Sequence, residues 1–205
     1  FLGLAKNVEK TILVFLKSCK NLSLSGLKIC VIVGENGSED KTRNILKNFK
    51  SSKFHFIFLK TDFLNIYKNR IIRLTNGREY LKNYIIENRI ISKFVAVVDL
   101  DSVISKGIEK NAFLDVIKIL KKRQNDLFAI SVKSEPYYYD MLPLIIKDYF
   151  EYDVYKIQTT FSLINFYKLR KLYIYNFQKK ITQMRDTLTI SSHNGLTIYH
   201  YDNYI

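Results

Sequence analysis

The stretch Phe94-Val95-Ala96-Val97-Val98-Asp99-Leu100-Asp101-Ser102 decides the fold class of this chain. Its unbroken apolar run, rich in β-branched residues, predicts a buried strand. Two carboxylates follow at positions i and i+2, where the strand is expected to end. Side chains two residues apart in extended backbone point the same way, so Asp99 and Asp101 are expected to converge on one cation, Mg²⁺ or Mn²⁺. The alternative is that both acids only mark the strand end and cap the next turn.

Strand and helix patterns alternate on both sides of this stretch. Strand patterns cover residues 1–5, 28–33, 54–59 and 127–132. Helix patterns cover residues 8–22, a segment capped by Ser38, residues 75–91, and a segment bearing Phe113, Ile117 and Leu120. This alternation predicts an α/β sandwich with a mainly parallel central sheet flanked by helices, with its ligand site at the carboxyl ends of the strands. After Tyr137 we expect one helix over 140–150 and short strands near Leu188 and Thr197.

Length and composition favour one globular domain. The 205 residues suffice for one sizeable core, and 47% hydrophobic residues with 7 Gly and 2 Pro exclude a disordered chain or a long linker. Cys19 and Cys30 lie in apolar segments without metal-site spacing, which predicts reduced thiols and a cytoplasmic location. No apolar run approaches the ~18 residues of a membrane span. The chain begins at Phe1 without Met, so an upstream targeting sequence would not be seen.

The net charge of +14 suggests a polyanionic partner, which could be nucleic acid, an anionic membrane surface or a phosphate-bearing substrate. The basic residues are spread along the whole chain, and clusters such as 121–123 and 168–171 are typical of solvated faces. A nucleic-acid-binding module is therefore an alternative function. Nucleic acid is not the expected partner, because the sequence has no helix-turn-helix, zinc spacing or aromatic-basic motif.

A second stretch, Val33-Gly34-Glu35-Asn36-Gly37-Ser38-Glu39-Asp40-Lys41-Thr42, follows a predicted strand with small and turn-forming residues. Ser38 is expected to begin a helix whose free N–H groups favour anions. The alternative is an ordinary turn between a strand and a helix.

Together these stretches resemble the GT-A-fold glycosyltransferases, in which Gly-Ser-x-Asp-x-Thr forms a nucleotide-binding turn. Residues 1–8 resemble the opening strand and Asn of one branch, which includes fungal capsule-associated mannosyltransferases and glycosyltransferases of large DNA viruses. Residues 70–78 resemble its Arg-x-x-Arg-Leu-Ala-x-x-Arg-Asn segment, and Asp99-Leu100-Asp101 occupies the place of its metal-binding Asp-x-Asp. Residues 138–144 resemble its Tyr-Tyr-Asp-x-Trp-Ala-Leu, and residues 191–199 resemble its Ser-Ala-Phe-Gly-Gly-Leu-x-Ile-Tyr.

The chain departs from this pattern at three places. Glu79 stands where the family often has Asn, Leu142-Pro143 replaces Trp-Ala, and His193-Asn194 replaces Phe-Gly. In the family these positions surround the sugar and the acceptor, so the departures affect sugar identity more than nucleotide and metal handling.

The resemblance implies one glycosyltransferase domain over residues 1–205, with a nucleotide-sugar-binding half (1–135) and an acceptor-side half (136–205). The implied reaction is metal-dependent transfer from a UDP- or GDP-sugar to a glycan or glycoprotein acceptor, with Mn²⁺ or Mg²⁺ as cofactor. The predicted nucleotide-sugar contacts are Ala5, Asn7, Glu35, Asn36, Arg70, Arg73, Arg78 and Asp99. The predicted metal ligands are Asp99, Asp101 and His193, and the predicted catalytic residue is Asp140.

Each of these assignments has a plainer alternative. The three arginines can pair with phosphate oxygens through planar guanidinium groups, or form a basic face on a loop and helix start. Asp140 can act as a general base, or cap a helix. His193 can be a metal ligand, or an ordinary surface or core residue. A metal-dependent nucleotidyltransferase is the enzymatic alternative, although Glu109 and Asp115 are poorly placed to supply its third carboxylate.

Overall fold

Strands and helices alternate along the chain in the computed structural model, which describes residues 1–133, 138, 140–141, 143–147, 156, 167–168, 171, 174–184, 187, 189 and 192–205. The strands are β1 (Leu2–Ala5), β2 (Cys30–Glu35), β3 (His55–Lys60), β4 (Phe94–Asp99), β5 (Ala129–Ser131) and β6 (Leu196–His200). The helices are α1 (Glu9–Leu24), α2 (Thr42–Asn48), α3 (Arg70–Glu87), α4 (Lys110–Lys122), α5 (Tyr175–Gln183) and α6 (Tyr201–Tyr204). Two short 3₁₀ segments cover Asp62–Ile66 and Ser102–Ile104.

The strands form one six-stranded sheet in the order β3-β2-β1-β4-β6-β5. β1 pairs in parallel with both β2 and β4, and β2 pairs in parallel with β3. Parallel neighbours need long crossover connections, which here contain α1, α2 and α3. The predicted α/β class with a mainly parallel sheet is confirmed.

The contacts divide the chain into two units, Phe1–Ile130 with Ile198–Ile205, and Ser131–Thr197. The first unit has a core between the sheet and α3, made by Leu2, Ile32, Leu81, Ile85, Val95 and Val97. In α3 the buried residues are Gly77, Leu81 and Ile85, which recur at the four-residue spacing of one helix face. The second unit has its own cluster, made by Tyr138, Met141, Leu144, Ile146 and Ile181, with Ile174 and Phe177 packed against it.

Several predicted helices differ from the observed ones. α3 begins at Arg70 rather than Thr75, because the Asn69 side chain caps it by accepting from the N–H groups of Ile71 and Ile72. α2 begins at Thr42 and not at Ser38, so the predicted helix N-terminus at Ser38 is wrong.

The helix predicted over 140–150 is also wrong for the residues that the structure describes there. Residues 140–141 and 143–147 contain no helical residue, and Ile145 and Ile146 form bridge pairs instead. The strand predicted near Thr197 is confirmed as β6, and Leu188 lies outside the described residues.

Candidate active site

The carboxyl ends of four parallel strands meet at one edge of the sheet. Ala5 at the end of β1 lies opposite Glu35 of β2, and Glu35 lies opposite Lys60 of β3. On the other side of β1, Leu4 lies opposite Asp99, the last residue of β4. Ala5, Glu35 and Asp99 therefore lie on neighbouring strands at the edge where parallel α/β sheets bind ligands.

Leu100, the residue between the two aspartates, is anchored through both its side chain and its backbone. The side chain is 1% exposed and packs on Gly3, where an added Cβ atom would lie 2.7 Å from Leu100 Cδ1. The Thr11 hydroxyl in α1 donates to the Leu100 carbonyl oxygen at 2.5 Å. Because Leu100 is held by β1 and α1, the backbone of the two flanking aspartates is fixed in place.

Asp99 and Asp101 lie on the opposite side of the backbone from Leu100. Asp99 is partly exposed and Asp101 is exposed, as expected for alternation in extended backbone. Asp101 Oδ1 accepts from the Val103 N–H at 3.1 Å and caps the 3₁₀ segment, so the turn-capping alternative holds for this oxygen. Within the described residues, no protein group bonds the other oxygen of Asp101, Oδ2.

Arg78 reaches this pair of aspartates from α3. Its guanidinium donates to Asp99 Oδ1 at 2.9 Å, and the two side chains are 38% and 23% exposed, so a ligand in solution can reach both. Gly77 allows this approach, because an added Cβ atom would lie 2.6 Å from Cδ1 of Leu4 in β1. The absence of a side chain at Gly77 thus lets α3 pack closely on β1 and places Arg78 beside the end of β4.

The described residues contain no cluster of three or more His, Cys, Asp or Glu side chains that could hold a metal ion. Asp99 and Asp101 supply two carboxylates, which are ligands that Mg²⁺ and Mn²⁺ prefer. Mg²⁺ commonly takes only one or two protein carboxylates together with substrate phosphates. The carboxylates at this edge therefore fit a divalent ion that is bound jointly with a phosphate-bearing ligand.

The turns after β1 and β2 are joined by hydrogen bonds between their side chains and backbones. Asn7 has a positive φ of 55°, which Asn tolerates better than most residues. Its N–H donates to Ser38 Oγ at 3.0 Å, and its Oδ1 accepts from the Glu39 N–H at 2.8 Å. Asn7 therefore bridges the two turns, which is a role that the sequence did not predict for it.

A second set of hydrogen bonds joins the same turns reciprocally. The Glu9 N–H donates to Asp40 Oδ2 at 3.1 Å, and the Lys41 N–H donates to Glu9 Oε2 at 3.0 Å. Asp40 Oδ1 also accepts from the Thr42 N–H at 2.9 Å. Burial alone would raise the pKa of the Asp40 carboxyl, but its hydrogen bonds with Thr42 and Glu9 outweigh this and hold the pKa below its ordinary value.

Glu35 is fully buried, and both its carboxylate oxygens are bonded by the protein. Oε1 accepts from the Ser38 N–H, and Oε2 accepts from the guanidinium of Arg43, which also bonds Asp62. These hydrogen bonds with Asp62 and Glu35 raise the pKa of Arg43 above its ordinary value. Glu35 thus fixes Arg43 between the ends of β2 and β3.

Asn36 follows Glu35 and is 6% exposed. Its side-chain oxygen Oδ1 is buried and has no hydrogen-bond partner in the described part of the chain. A buried polar atom without a partner is unfavourable by about 1–3 kcal/mol. A ligand or water that reached this oxygen would remove that cost.

Arg70 and Arg73 differ in what they contact. Arg70 is exposed at the first position of α3. The Arg73 guanidinium donates to the Tyr67 carbonyl oxygen at 3.1 and 2.8 Å and to the Lys68 carbonyl oxygen at 3.4 Å. Arg73 therefore holds the loop before α3, a role that its place in the basic segment did not reveal.

In the second unit, the segments of Asp140 and His193 are joined. The Asp140 N–H donates to Oδ1 of the buried Asn194 at 3.1 Å. His193 is 6% exposed, and its Nδ1 is 2.9 Å from Thr197 Oγ1. The departure His193-Asn194 thus introduces two buried polar residues with defined contacts. Asp140 caps no helix within the described residues.

The Glycosyl transferase family 2 profile matches residues 4–202 of the chain. This chain belongs to glycosyl transferase family 2. The sheet order and the parallel strands fit the GT-A fold, and the prediction of a glycosyltransferase is confirmed at the level of the family.

Two solved structures of S. aureus TarS residues 1–349 are similar to this family 2 chain. One has 15% sequence identity and a TM-score of 0.44. The other, in complex with UDP, has 14% identity and a TM-score of 0.46. In each case the match covers 75% of this chain and 43% of the TarS chain, so the chain spans less than half the length of these relatives. A search of curated proteins found no match.

Three residues that organise this family 2 site were missed by sequence reasoning: Thr11, Arg43 and Gly77. Arg43 looked like the other scattered basic residues, and the hydrogen bond of Thr11 joins residues 89 positions apart. Gly77 carried a weak signal, since a glycine inside a helix pattern suggests a close approach.

A cavity of about 630 Å³ lies at the amino ends of the strands, lined by residues that include Phe1, Cys30 and Phe94. Its lining contains none of the site residues that the sequence predicted for this chain.

Among the described residues, no helix has the length and apolar composition needed to cross a lipid bilayer.

Proposed function

We propose that this chain transfers a sugar from a UDP- or GDP-sugar to a glycan or glycoprotein acceptor, with Mn²⁺ or Mg²⁺ bound jointly by Asp99, Asp101 and the donor diphosphate. The observation that carries this proposal is the anchored Asp99-Leu100-Asp101 segment, with Arg78 bonded to Asp99 at the ligand-binding edge. Family membership supports it independently.

The roles of the residues follow from their contacts. Asp101 offers Oδ2 to the cation while Oδ1 keeps the backbone capped. Arg78 keeps Asp99 oriented and presents its positive charge to the donor phosphates. A bound divalent ion would stabilise the negative charge that develops on the leaving diphosphate.

The nucleoside would be held by the turns after β1 and β2. Ala5 and Asn36 are the proposed direct contacts, and the unsatisfied oxygen of Asn36 supports this. Asn7 and Glu35 would act by positioning these turns, because their side-chain oxygens bond protein groups. Arg70 is the proposed second phosphate contact, and Arg73 would act through the loop that it holds.

On the acceptor side, Asp140 is the proposed general base or acceptor ligand, and His193 is a proposed further metal ligand. The motif likeness of residues 138–144 and 191–199 to fungal capsule-associated mannosyltransferases and large-DNA-virus glycosyltransferases supports these roles, and it favours a hexose as the transferred sugar.

A reducing compartment such as the cytoplasm fits the two cysteines. Cys19 and Cys30 are free thiols. Burial raises the pKa of the Cys19 thiol to about 12, so it remains protonated and unreactive at neutral pH.

The substitution Asp101→Asn tests the metal site. Asn keeps an oxygen for the Val103 cap but loses the charge that binds the cation. We expect Mn²⁺-dependent affinity for UDP or GDP, measured by calorimetric titration, to fall about tenfold or more, with the melting temperature within about 2 °C of wild type. Asp115→Asn is the matched control, because Asp115 is an exposed carboxylate on α4 paired only locally with Lys118.

Nucleotide affinity that is independent of metal and unchanged in Asp101→Asn would contradict the proposal. Binding of an oligonucleotide without binding of nucleotide sugars would favour the nucleic-acid alternative. Release of diphosphate from a nucleoside triphosphate, without sugar transfer, would favour the nucleotidyltransferase alternative.

A further inference from the structure

The segment 63–72, which we call the apolar corner, carries four large hydrophobic side chains that are exposed. They are Ile66, 73% exposed, Ile72, 48%, Phe63, 46%, and Ile71, 37%. Scattered exposed hydrophobic residues are normal on a protein surface, whereas a contiguous group marks an interaction site. The four lie within ten consecutive residues: Phe63 and Ile66 in the 3₁₀ segment, and Ile71 and Ile72 in the first turn of α3.

The apolar corner is held in a defined conformation. Asn69 Oδ1 accepts from the N–H groups of Ile71 and Ile72, at 2.8 and 3.3 Å. The Arg73 guanidinium bonds the carbonyl oxygens of Tyr67 and Lys68, which ties the loop to the helix. The exposed side chains thus project from a backbone that these hydrogen bonds already hold in place. Binding through them therefore costs little backbone entropy.

The charges around the apolar corner are positive. Lys68 and Arg70 are exposed within it, and the segment 63–72 contains no acidic residue. The adjoining Asp62 is paired with Arg43. The whole chain carries a net charge of +14, so the field around the apolar corner attracts an anionic surface.

We propose that the apolar corner docks on the surface of an anionic lipid bilayer. The isoleucine and phenylalanine side chains would enter the boundary between headgroups and acyl chains, while Lys68 would lie at the level of the anionic headgroups. Exposed apolar residues flanked by cations fit a bilayer better than a nucleic acid, whose backbone contacts need cations but not isoleucines.

Docking would also orient the candidate active site. Asn65, within the apolar corner, accepts from Lys6 Nζ at 3.5 Å, and an added Cβ atom at Gly37 would lie 3.1 Å from Asn65 Nδ2. The apolar corner therefore borders the turns that follow β1 and β2. A bilayer bound there would lie beside the edge of the sheet that carries Asp99 and Asp101.

Flotation with lipid vesicles tests this proposal, using the whole chain with vesicles of phosphatidylcholine alone or mixed with phosphatidylserine. We expect binding to the mixed vesicles that weakens as salt increases, because salt screens exposed charges. Ile66→Asn should lower the partition coefficient about tenfold through lost apolar burial. Lys68→Gln should lower it about fivefold through the lost cation near the headgroups.

Two controls match these variants. Ile91→Asn alters an isoleucine that is 85% exposed but lies between α3 and β4, and Lys121→Gln alters an exposed lysine at the end of α4. Both should bind vesicles as wild type does. Nucleotide affinity should be unchanged in all four variants, which separates this proposal from the proposed function.

Three results would overturn the proposal. The first is that the wild-type protein does not bind vesicles that contain phosphatidylserine. The second is that Ile91→Asn loses as much vesicle binding as Ile66→Asn does. The third result is that the wild-type chain does not bind vesicles but self-associates with increasing concentration, and that Ile66→Asn abolishes this self-association. The apolar corner would then be a contact between copies of the chain.

Discussion

At the scale of single residues, the ion pair between Arg78 and Asp99 connects the proposed metal site with the basic charge of the chain. Both side chains are partly exposed, and a pair of this kind stabilises the fold by only about 0–1 kcal/mol. Its contribution should therefore lie in ligand binding more than in stability.

We predict that Arg78→Ala weakens nucleotide-sugar affinity about tenfold or more, because it removes the charge-assisted hydrogen bonds that we propose Arg78 makes with the donor phosphates. The melting temperature should stay close to that of wild type. Calorimetric titration and melting curves measure the two effects.

Arg123→Ala is the control for this prediction, because Arg123 forms a similar exposed pair with Asp126. Neutralising Lys121 and Lys122 together should also leave affinity unchanged. If these changes weakened binding as much as Arg78→Ala, the general positive field would matter more than a directed contact.

The site residues that the sequence predicted were those whose chemistry is visible locally. Asp99 and Asp101 come at the end of a buried strand, two residues apart, and this spacing predicts that their side chains point the same way. In the structure both side chains lie on the side of the backbone opposite to Leu100. The contacts of Glu35 were not predictable, since its carboxylate bonds Arg43 eight residues later. Arg43 also reaches Asp62 at the end of another strand, and no local pattern encodes that contact.

At the scale of elements, the close packing of α3 on β1 depends on Gly77. A Cβ atom there would contact Leu4 and Leu64 in a packed interior. Ala would add intrinsic helix stability, which opposes the steric cost, whereas Val adds further bulk and gains less helix stability.

We predict that Gly77→Val destabilises the protein by about 1–3 kcal/mol through overpacking, and that it lowers nucleotide affinity because α3 carries Arg78. Thr75→Val is the control, because Thr75 is exposed on the same helix and is already β-branched. Thermal melting and nucleotide titration of both variants test this. Wild-type stability and affinity in Gly77→Val would show that α3 does not need the close approach.

Element prediction succeeded where apolar periodicity was strong. α1 and α4 bury the residues expected from their spacing, Ile12 and Phe15 in α1 and Phe113, Ile117 and Leu120 in α4. The start of α3 was missed because its cap, Asn69, lies in a polar segment without apolar spacing. The run 144–146 is too short for periodicity to distinguish a helix from a strand.

At the scale of the whole molecule, two carboxylates make the stability of the folded protein depend on pH in the acid range. The pKa of Asp40 lies below its ordinary 3.8. Burial raises this pKa, but the hydrogen bonds from Thr42 and Glu9 lower it by more. The pKa of Glu109 is held below its ordinary 4.5 by the N–H groups of Ala112 and Asn111 at the start of α4. A lowered folded-state pKa gives stability above the unfolded-state value, which is lost as pH falls through the folded-state pKa.

We predict that Asp40→Ala melts below wild type at pH 7, and that the difference narrows at an acid pH below the folded-state pKa of Asp40, where the wild-type carboxyl also becomes protonated. Ser38→Ala is the control, because it removes a hydrogen bond between the same turns from a group that does not titrate. Its difference from wild type should be the same at both pH values. A constant difference for Asp40→Ala as well would contradict an electrostatic role.

The bridged turns after β1 and β2 have a consequence for protein engineering. Asn7 and Glu9 bond Ser38, Glu39, Asp40 and Lys41, so each turn supplies partners for the backbone of the other. A chimera that took only one of these turns from a relative would leave hydrogen-bonding groups of the retained turn without their partners. The two segments, 31 residues apart at Asn7 and Ser38, therefore form one structural unit, and we expect the proposed nucleotide preference to be transferred only when both are moved together.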